Sequence, residues 1–269
     1  MTDIPFVVST QYLNEHLADP NLVIVDCRFA LMQPQVGKQQ YEISHIPGAC
    51  YLDLNQDLAA PVAVHGGRHP LPDFAQLAQK LAAIGINSGR TQVIVYDDSC
   101  FAYAARLWWL LRYLGHEQVA VLDGGWQAWQ QAGYAVTDAI PTPQPGVFVP
   151  QLRSNWVVDR EVLKSPLPGV VMIDSREGDR YLGKLEPIDP IAGHIPGALN
   201  YPWQEVTDAQ GYFNPNNQQR WKAIADSPEI VVYCGSGITA CVNLLALELA
   251  GISGGKLYPG GWSDWCSYL

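Results

Sequence analysis

Residues 230–239 read Ile230-Val231-Val232-Tyr233-Cys234-Gly235-Ser236-Gly237-Ile238-Thr239, and this stretch decides the fold. Its first four residues are apolar without alternation, which is typical of a strand buried on both faces of a parallel sheet. The glycine-containing segment that follows is typical of a loop, and the Ala- and Leu-rich residues 240–249 predict a helix. The order strand, loop and helix indicates an α/β unit with Cys234 at the carboxyl end of a strand.

The same unit occurs in the first half of the chain, where Val93-Ile94-Val95-Tyr96-Asp97 corresponds to residues 230–234. Four further pairs of segments occur in the same order in both halves. They are Val7-Val8-Ser9 and Val157-Val158-Asp159, Val23–Arg28 and Val171–Arg176, His45–Ala49 and His194–Ala198, and Gly124-Gly125-Trp126 and Gly260-Gly261-Trp262. Five matches in one order indicate an internal duplication.

Each copy is predicted to be an α/β domain with a central parallel sheet and helices on both faces, because apolar runs alternate with helical patterns. One such helix begins after the N-cap Asp73 and places apolar residues on one face from Phe74 to Ile84. Four prolines and a glycine between residues 141 and 150 indicate a semi-rigid linker. We therefore expect a first domain at residues 1–138, a linker at 139–152 and a second domain at 153–269.

The composition indicates a globular chain and excludes several functions. Hydrophobic residues make up 48% of the 269 residues, and the formal net charge of −10 leaves no basic surface for nucleic acid or an anionic membrane. No apolar run reaches the ~20 residues that span a bilayer. The N-terminus has no secretory pattern, so a cytoplasmic protein is expected. The six cysteines show neither a C-x-x-C pair nor zinc-ligand spacing, and we expect no metal and no cofactor.

Cys234 is the candidate nucleophile. At the end of a strand and facing the N-terminus of a helix, a thiolate is stabilised by the helix dipole and by unpaired backbone N–H groups. Gly235 and Gly237 allow the loop to turn its amides inward around an anion. The alternative is a buried strand-end cysteine whose glycines serve only the turn. The duplication favours a reactive cysteine, since the first copy has Asp97 at this position and is expected to be a scaffold.

Two other uses of such a loop are disfavoured. A cysteine phosphatase needs Cys-x5-Arg, whose arginine holds the phosphate, and here the position of that arginine is occupied by Ala240. A dinucleotide-binding site needs its glycine pattern on the first strand of the unit, with an acidic residue ~20 positions later. The glycines here follow a late strand, and the nearest acid, Glu248, comes too early.

With its D-x-R and H-I-P-G-A motifs, its cysteine loop and its terminal Gly-Gly-Trp, the chain resembles the tandem rhodanese-domain sulfurtransferases over nearly its whole length. In that family only the C-terminal copy is active, and its cysteine accepts a sulfur atom as a persulfide. The loop from Cys234 to Thr239 is similar to that of 3-mercaptopyruvate sulfurtransferases. Thiosulfate-preferring members usually carry Arg and Lys after the cysteine, and this chain carries neither.

The resemblance also implies which residues bind the substrate. Arg180 corresponds to an arginine that holds the substrate carboxylate, and the alternative is a surface arginine paired with Asp179 or Glu177. A second carboxylate-binding arginine of the family has no counterpart, because residues 186–190 have an acid where it is expected. The loop residues are expected to contact the substrate through their amides. They are Gly235, Gly237, Ile238 and Thr239.

The family further uses a serine, a histidine and an aspartate to move a proton during sulfur transfer. Ser236 and His69 correspond to the first two, whereas Asn55 stands where the aspartate is expected, so the relay is incomplete. A solvated histidine in a loop is the alternative for His69. His45 and His194 occur in both copies, as do Arg28 and Arg176, and their repetition predicts structural roles.

The resemblance implies ping-pong sulfur transfer through a Cys234 persulfide. The donor would be a small anion, 3-mercaptopyruvate, and the acceptor a small thiol, a thioredoxin-like protein or cyanide. One alternative is a thiosulfate:cyanide sulfurtransferase that uses the same cysteine. Another is a non-catalytic persulfide carrier or a redox-sensing module.

Overall fold

Each half of the chain builds the parallel sheet that its apolar runs predict. The computed structural model describes residues 4–165 and 168–269. One unit, unit 1, comprises Met1–Ala60, Pro72–Arg153 and Ala209–Phe213. The other, unit 2, comprises Pro61–Leu71, Ser154–Asp208 and Asn214–Leu269. Two short segments therefore depart from the expected continuous domains: residues 61–71 belong to unit 2 and residues 209–213 to unit 1.

Unit 1 contains five parallel strands and the helices that flank them. The strands are β1 (Val7–Val8), β2 (Leu22–Asp26), β3 (Cys50–Tyr51), β4 (Gln92–Tyr96) and β5 (Val119–Leu122). They pair in the order β1-β5-β4-β2-β3. The helices are α1 (Thr10–His16), α2 (Gln35–Ile43), α3 (Phe74–Ala83), α4 (Ala104–Tyr113) and α5 (Gly125–Gln131). Strand β5 is buried along its whole length, as expected of a strand within a covered parallel sheet.

Unit 2 repeats this arrangement. Its strands are β6 (Val170–Asp174), β7 (Leu199–Asn200), β8 (Glu229–Tyr233) and β9 (Lys256–Leu257), and they pair in parallel in the order β7-β6-β8-β9. Its helices are α6 (Arg160–Lys164), α7 (Gly178–Tyr181), α8 (Asn217–Arg220), α9 (Ala240–Leu249) and α10 (Gly261–Trp265). A parallel bridge joins Val157 to Leu257 of β9, just as Val7 of β1 pairs with Val121 of β5. The duplicated α/β architecture is confirmed.

The predicted helix starts are also confirmed. The Ser9 side chain accepts a hydrogen bond from the Tyr12 amide, and Asp159 accepts one from Val162 in the second copy. Asp73 accepts from two amides at the start of α3. Within residues 4–165 and 168–269, no helix combines the length and the apolar character that a bilayer crossing requires.

The repeated histidines and arginines stabilise the same turns in both copies. His45 Nδ1 lies 2.6 Å from the Tyr41 carbonyl oxygen, and His194 Nδ1 lies 2.7 Å from that of Tyr181. Arg28 forms an ion pair with Asp26 at 2.6 Å and donates to the Ser44 carbonyl. Arg176 likewise forms an ion pair with Asp174 at 2.7 Å and donates to the Gly193 carbonyl. These contacts agree with the structural roles predicted from their repetition.

Candidate active site

Cys234 lies where strand β8 ends, in the loop that leads into helix α9. It is buried, with 2% of its surface exposed. Gly237 has a φ of +72°, and a Cβ there would come within 2.3 Å of the Pro259 carbonyl oxygen, so only glycine fits. Elsewhere in the loop, backbone N–H groups donate to no protein acceptor in the part of the chain that the structure describes. They belong to Gly235, Ser236, Ile238 and Thr239.

The terminal Gly-Gly-Trp motif supports this loop from one side. The amide of Trp262 donates to the Cys234 carbonyl at 2.8 Å, and that of Ser263 donates to the Gly235 carbonyl at 2.9 Å. Gly261 has a φ of +59°, and a Cβ there would lie 2.5 Å from the Cys234 carbonyl oxygen. The motif therefore fixes the backbone of Cys234, the candidate nucleophile, a role that its sequence does not reveal.

The equivalent loop of unit 1 holds an anion of its own. Asp97 follows β4 and is buried, and its carboxylate accepts hydrogen bonds from four backbone amides at 2.8–3.2 Å. The donors are Ser99, Phe101, Tyr103 and Ala104. The Trp126 amide donates to the Asp97 carbonyl at 2.8 Å, as Trp262 does to Cys234. Burial raises the pKa of Asp97 to about 6, although the amide hydrogen bonds oppose that rise. This loop type therefore encloses an anion.

His69 and Ser236 lie together in unit 2. Nδ1 of His69 is 2.7 Å from the Ser236 hydroxyl oxygen, and the two residues are 5% and 6% exposed. The segment that carries His69 is anchored on helix α10, because the Gly66 amide donates to Asp264 at 2.6 Å and the Arg68 amide donates to Ser263. The histidine is thus buried and hydrogen-bonded rather than solvated.

Asn55, the residue at the expected aspartate position, lies in unit 1. It is exposed, and its backbone amide donates to Asp53 at 2.8 Å.

Arg180 on α7 pairs with neither of the acids next to it in the sequence. Its guanidinium donates to Glu186 at 2.8 Å and to Asp189 at 3.1 Å. Glu186 also accepts from Arg176 at 3.1 Å, so the acids of residues 186–190 are buried partners of the arginines. Arg180 itself is 12% exposed.

Arg68 is the residue that sequence reasoning missed. It forms an ion pair with Asp189, and its Nη2 lies 2.8 Å from the position that a Cβ on Gly235 would occupy. The available signal was its place beside the candidate His69 in a chain with few basic residues. A second arginine therefore approaches the cysteine loop from the segment 61–71, rather than from the region after Arg180.

Other cysteines of the chain are poor nucleophiles. Burial raises the pKa of the Cys27 thiol well above its ordinary value, and it raises that of Cys50 to about 11. Burial also raises the pKa of Cys266. These thiols stay protonated near neutral pH.

Comparison with known proteins agrees with the duplicated architecture. Residues 9–132 and 159–268 each match the sequence model of the rhodanese-like domain. A protein described as a probable 3-mercaptopyruvate sulfurtransferase of Pseudomonas aeruginosa is 45% identical over 268 residues, which is 96% of this chain and 94% of the relative. A putative thiosulfate sulfurtransferase, SseB of Mycobacterium tuberculosis, is 36% identical over 91% of this chain and 87% of its own length.

A solved structure resembles the whole chain as well. The crystal structure of the 3-mercaptopyruvate sulfurtransferase SseA from Escherichia coli matches with a TM-score of 0.80 and 31% identity. The match covers 97% of this chain and 100% of that one.

Proposed function

The chain belongs to the rhodanese-like domain family, with two copies of the domain, and on that premise we propose that it is a 3-mercaptopyruvate sulfurtransferase. The nucleophile is Cys234 of unit 2, and unit 1 is the non-catalytic copy. We propose that residues 139–152 separate the two sequence repeats. They do not separate the two structural units completely, since residues 61–71 belong to unit 2.

One observation carries this proposal: the two copies of the loop differ in their anion. In unit 1 the Asp97 carboxylate accepts four amide hydrogen bonds. In unit 2 a cysteine stands in its place, and the amides of Gly235, Ser236, Ile238 and Thr239 have no protein acceptor among the described residues. A negatively charged sulfur at Cys234 supplies the acceptor that these donors lack.

The reaction proceeds in two steps. The Cys234 thiolate attacks the sulfur of 3-mercaptopyruvate, forming an Sγ–S bond while the C–S bond breaks. The electron pair of that bond leaves as the enolate of pyruvate, which then takes up a proton. An acceptor thiolate next attacks the outer sulfur, becomes a persulfide and returns Cys234 as the thiolate.

Ser236 and His69 are suited to the proton movements. The hydroxyl of Ser236 is next to Cys234 in sequence and 2.7 Å from His69 Nδ1. A hydroxyl–imidazole pair can take the proton from the donor thiol and deliver it to the enolate. Arg180 is the proposed partner of the substrate carboxylate, because a buried, water-poor ion pair with arginine holds a carboxylate more tightly than an exposed pair does.

The donor is inferred from the charge of the loop and from the relatives. Thiosulfate is a compact dianion that needs cations beside its reacting sulfur, and the loop itself is neutral at Gly235 and Ser236. The relative at 45% identity and the E. coli structure are named for 3-mercaptopyruvate, and the relative at 36% for thiosulfate. We expect kcat/KM for 3-mercaptopyruvate to exceed that for thiosulfate at least ~tenfold, or ~1.4 kcal/mol of transition-state binding.

Mass spectrometry tests the proposal directly. The protein is incubated with each donor in the absence of an acceptor, and intact mass followed by peptide mapping locates any added sulfur. One extra sulfur atom on the peptide containing Cys234, formed with release of pyruvate from 3-mercaptopyruvate, is the expected result. A persulfide that forms without turnover when a thiol is added supports the non-catalytic carrier instead.

The acceptor and the compartment are part of the same proposal. We propose a small thiol or a thioredoxin-like protein as acceptor, with cyanide as a laboratory substitute. We also propose a cytoplasmic location, in keeping with six cysteine thiols that form no disulfide.

A further inference from the structure

Two guanidinium groups converge on the residue after the nucleophile. A Cβ built on Gly235 would lie 2.8 Å from Nη2 of Arg68 and 3.5 Å from Nη2 of Arg180. Both cations therefore lie on the same side of the cysteine loop. They come from different parts of the sequence, the segment 61–71 and helix α7.

A single carboxylate bridges these two arginines. One oxygen of Asp189 accepts from Arg68 Nη1, and the other accepts from Arg180 Nη2 at 3.1 Å. The Asp189 side chain is only 2% exposed, so the bridge is shielded from solvent. Glu186 holds the other side of Arg180 and also contacts Arg176, which pairs with Asp174. Three arginines and three carboxylates thus form a network without formal net charge.

We propose that Arg68 is the second anion-binding cation of this site and that Asp189 sets the donor preference. By offsetting part of the positive charge of Arg68 and Arg180, Asp189 weakens the attraction of the site for dianions more than for monoanions. The inference rests on the proposed function, and it names the charge of the donor that the site selects. In this scheme Arg68 contacts the sulfur-donor substrate, whereas Asp189 acts through the two arginines as a positioning residue.

The electrostatics of the cluster support this assignment. The interaction energy of a ligand with a fixed charge is proportional to the ligand's own charge. A change that improves the affinity of a monoanion by ~3-fold should therefore improve that of a dianion by ~10-fold, the square of the first factor.

Arg68 is also suited to a further anionic partner. Its Nε is buried and has no hydrogen-bond acceptor in the part of the chain that the structure describes. Burial lowers the pKa of the Arg68 guanidinium, the neighbouring Arg180 acts in the same direction, and Cys234 opposes both. The Nε group of Arg68 is therefore a hydrogen-bond donor that Asp189 does not satisfy.

Binding to the resting protein tests the proposal without turnover. The probes are sulfate, a dianion, and pyruvate, a monoanion, titrated by calorimetry into the wild type and into Asp189→Asn. We expect the variant to bind sulfate ~10-fold more tightly and pyruvate ~3-fold more tightly. The matched control is Asp179→Asn, since the Asp179 side chain is 68% exposed, lies next to Arg180 on helix α7 and is outside the network. Equal shifts for both anions, or equal shifts in both variants, would overturn the role of Asp189.

Arg68 is tested in the opposite direction. Arg68→Gln should weaken sulfate binding at least ~10-fold, and Arg68→Lys should stay within ~3-fold of the wild type because it keeps the charge. If Asp189→Asn fails to fold because Arg68 loses its ion pair and Arg180 keeps only Glu186, these Arg68 variants carry the test. Unchanged sulfate binding by Arg68→Gln would refute the assignment.

The two proposals can fail separately. In Asp189→Asn the ratio of kcat/KM for 3-mercaptopyruvate to that for thiosulfate should fall at least ~3-fold, which is the ~10-fold factor for a dianion divided by the ~3-fold factor for a monoanion. A Cys234 persulfide that forms normally while sulfate binding ignores Arg68 and Asp189 overturns only the present inference. The expected sulfate shifts without any persulfide overturn only the sulfurtransferase proposal.

Discussion

Replacing Asp97 with Asn tests whether the loop of unit 1 is a scaffold whose stability depends on pH. The Asp97 carboxylate accepts four amide hydrogen bonds, two on each oxygen. An asparagine keeps one acceptor oxygen and turns its NH2 group toward two of those donors. Each buried donor left without a partner costs ~1–3 kcal/mol, so the variant should be less stable than the wild type at every pH.

The size of that difference should change with pH, because burial raises the pKa of Asp97 from an ordinary 3.8 to about 6. A carboxyl whose pKa is raised on folding contributes stability that is fully present below its unfolded pKa. That contribution is lost as the pH rises through the folded pKa. Between pH 4.5 and pH 7.5 the wild type should therefore lose ~2 kcal/mol of this contribution, at ~1.4 kcal/mol per pH unit, while the Asn variant loses none of it.

The assay is equilibrium urea unfolding followed by tryptophan fluorescence at pH 4.5, 6.0 and 7.5. The control is Asp138→Asn, which removes an exposed carboxylate from the same unit. The stability gap between wild type and Asp97→Asn should narrow by ~2 kcal/mol as the pH rises, and turnover per folded molecule should stay within ~2-fold. A gap that widens with pH would mean that the four amides outweigh burial, and it would refute the reasoning.

Three further substitutions address the site of unit 2. Cys234→Ser should abolish sulfur transfer in a folded protein because a hydroxyl has no sulfur nucleophilicity, whereas Cys266→Ser should keep most activity; turnover by the Cys234 variant would contradict the mechanism. His69→Gln should lower kcat by ~10²–10⁴-fold because the proton loses its carrier. The control is His65→Gln: His65 lies in the same segment as His69 and stacks on Tyr268, and its replacement should leave kcat unchanged. Gly237→Ala should lower the melting temperature by several degrees, since its Cβ would meet the Pro259 carbonyl at 2.3 Å; an unchanged melting temperature would show that the loop can shift.

The fold could be predicted in detail because local patterns and the duplication agree. Helix α9 runs over Ala240–Leu249, the same residues as the predicted helix, and the N-caps Ser9, Asp73 and Asp159 all act as expected. Each of these features depends on neighbours in the sequence. Short-range hydrogen bonds and apolar spacing are visible in a single chain.

The resemblance to the family pairs His69 with the distant Ser236, but the other distant contacts of the site could not be predicted. Residues 61–71 lie within the first repeat but belong to unit 2, and nothing in their composition indicates that exchange. Arg68 therefore cannot be recognised as a site residue from the sequence, and the acids at 186–190 suggest the loss of an anion-binding group. The structure instead pairs Asp189 with both arginines, a contact 121 residues apart in the sequence for Arg68.

The two loops illustrate how one architecture can serve both stability and chemistry. A ring of backbone amides at the start of a helix is costly to bury without an acceptor. In unit 1 the acceptor is a permanent part of the protein, the carboxylate of Asp97. In unit 2 the corresponding side chain is the thiol of Cys234, and we propose that the acceptor there is the charged sulfur that forms during turnover. The supports around that loop, Gly261 with Trp262 on one side and the segment carrying His69 on the other, must then keep its backbone in place when the anion is absent.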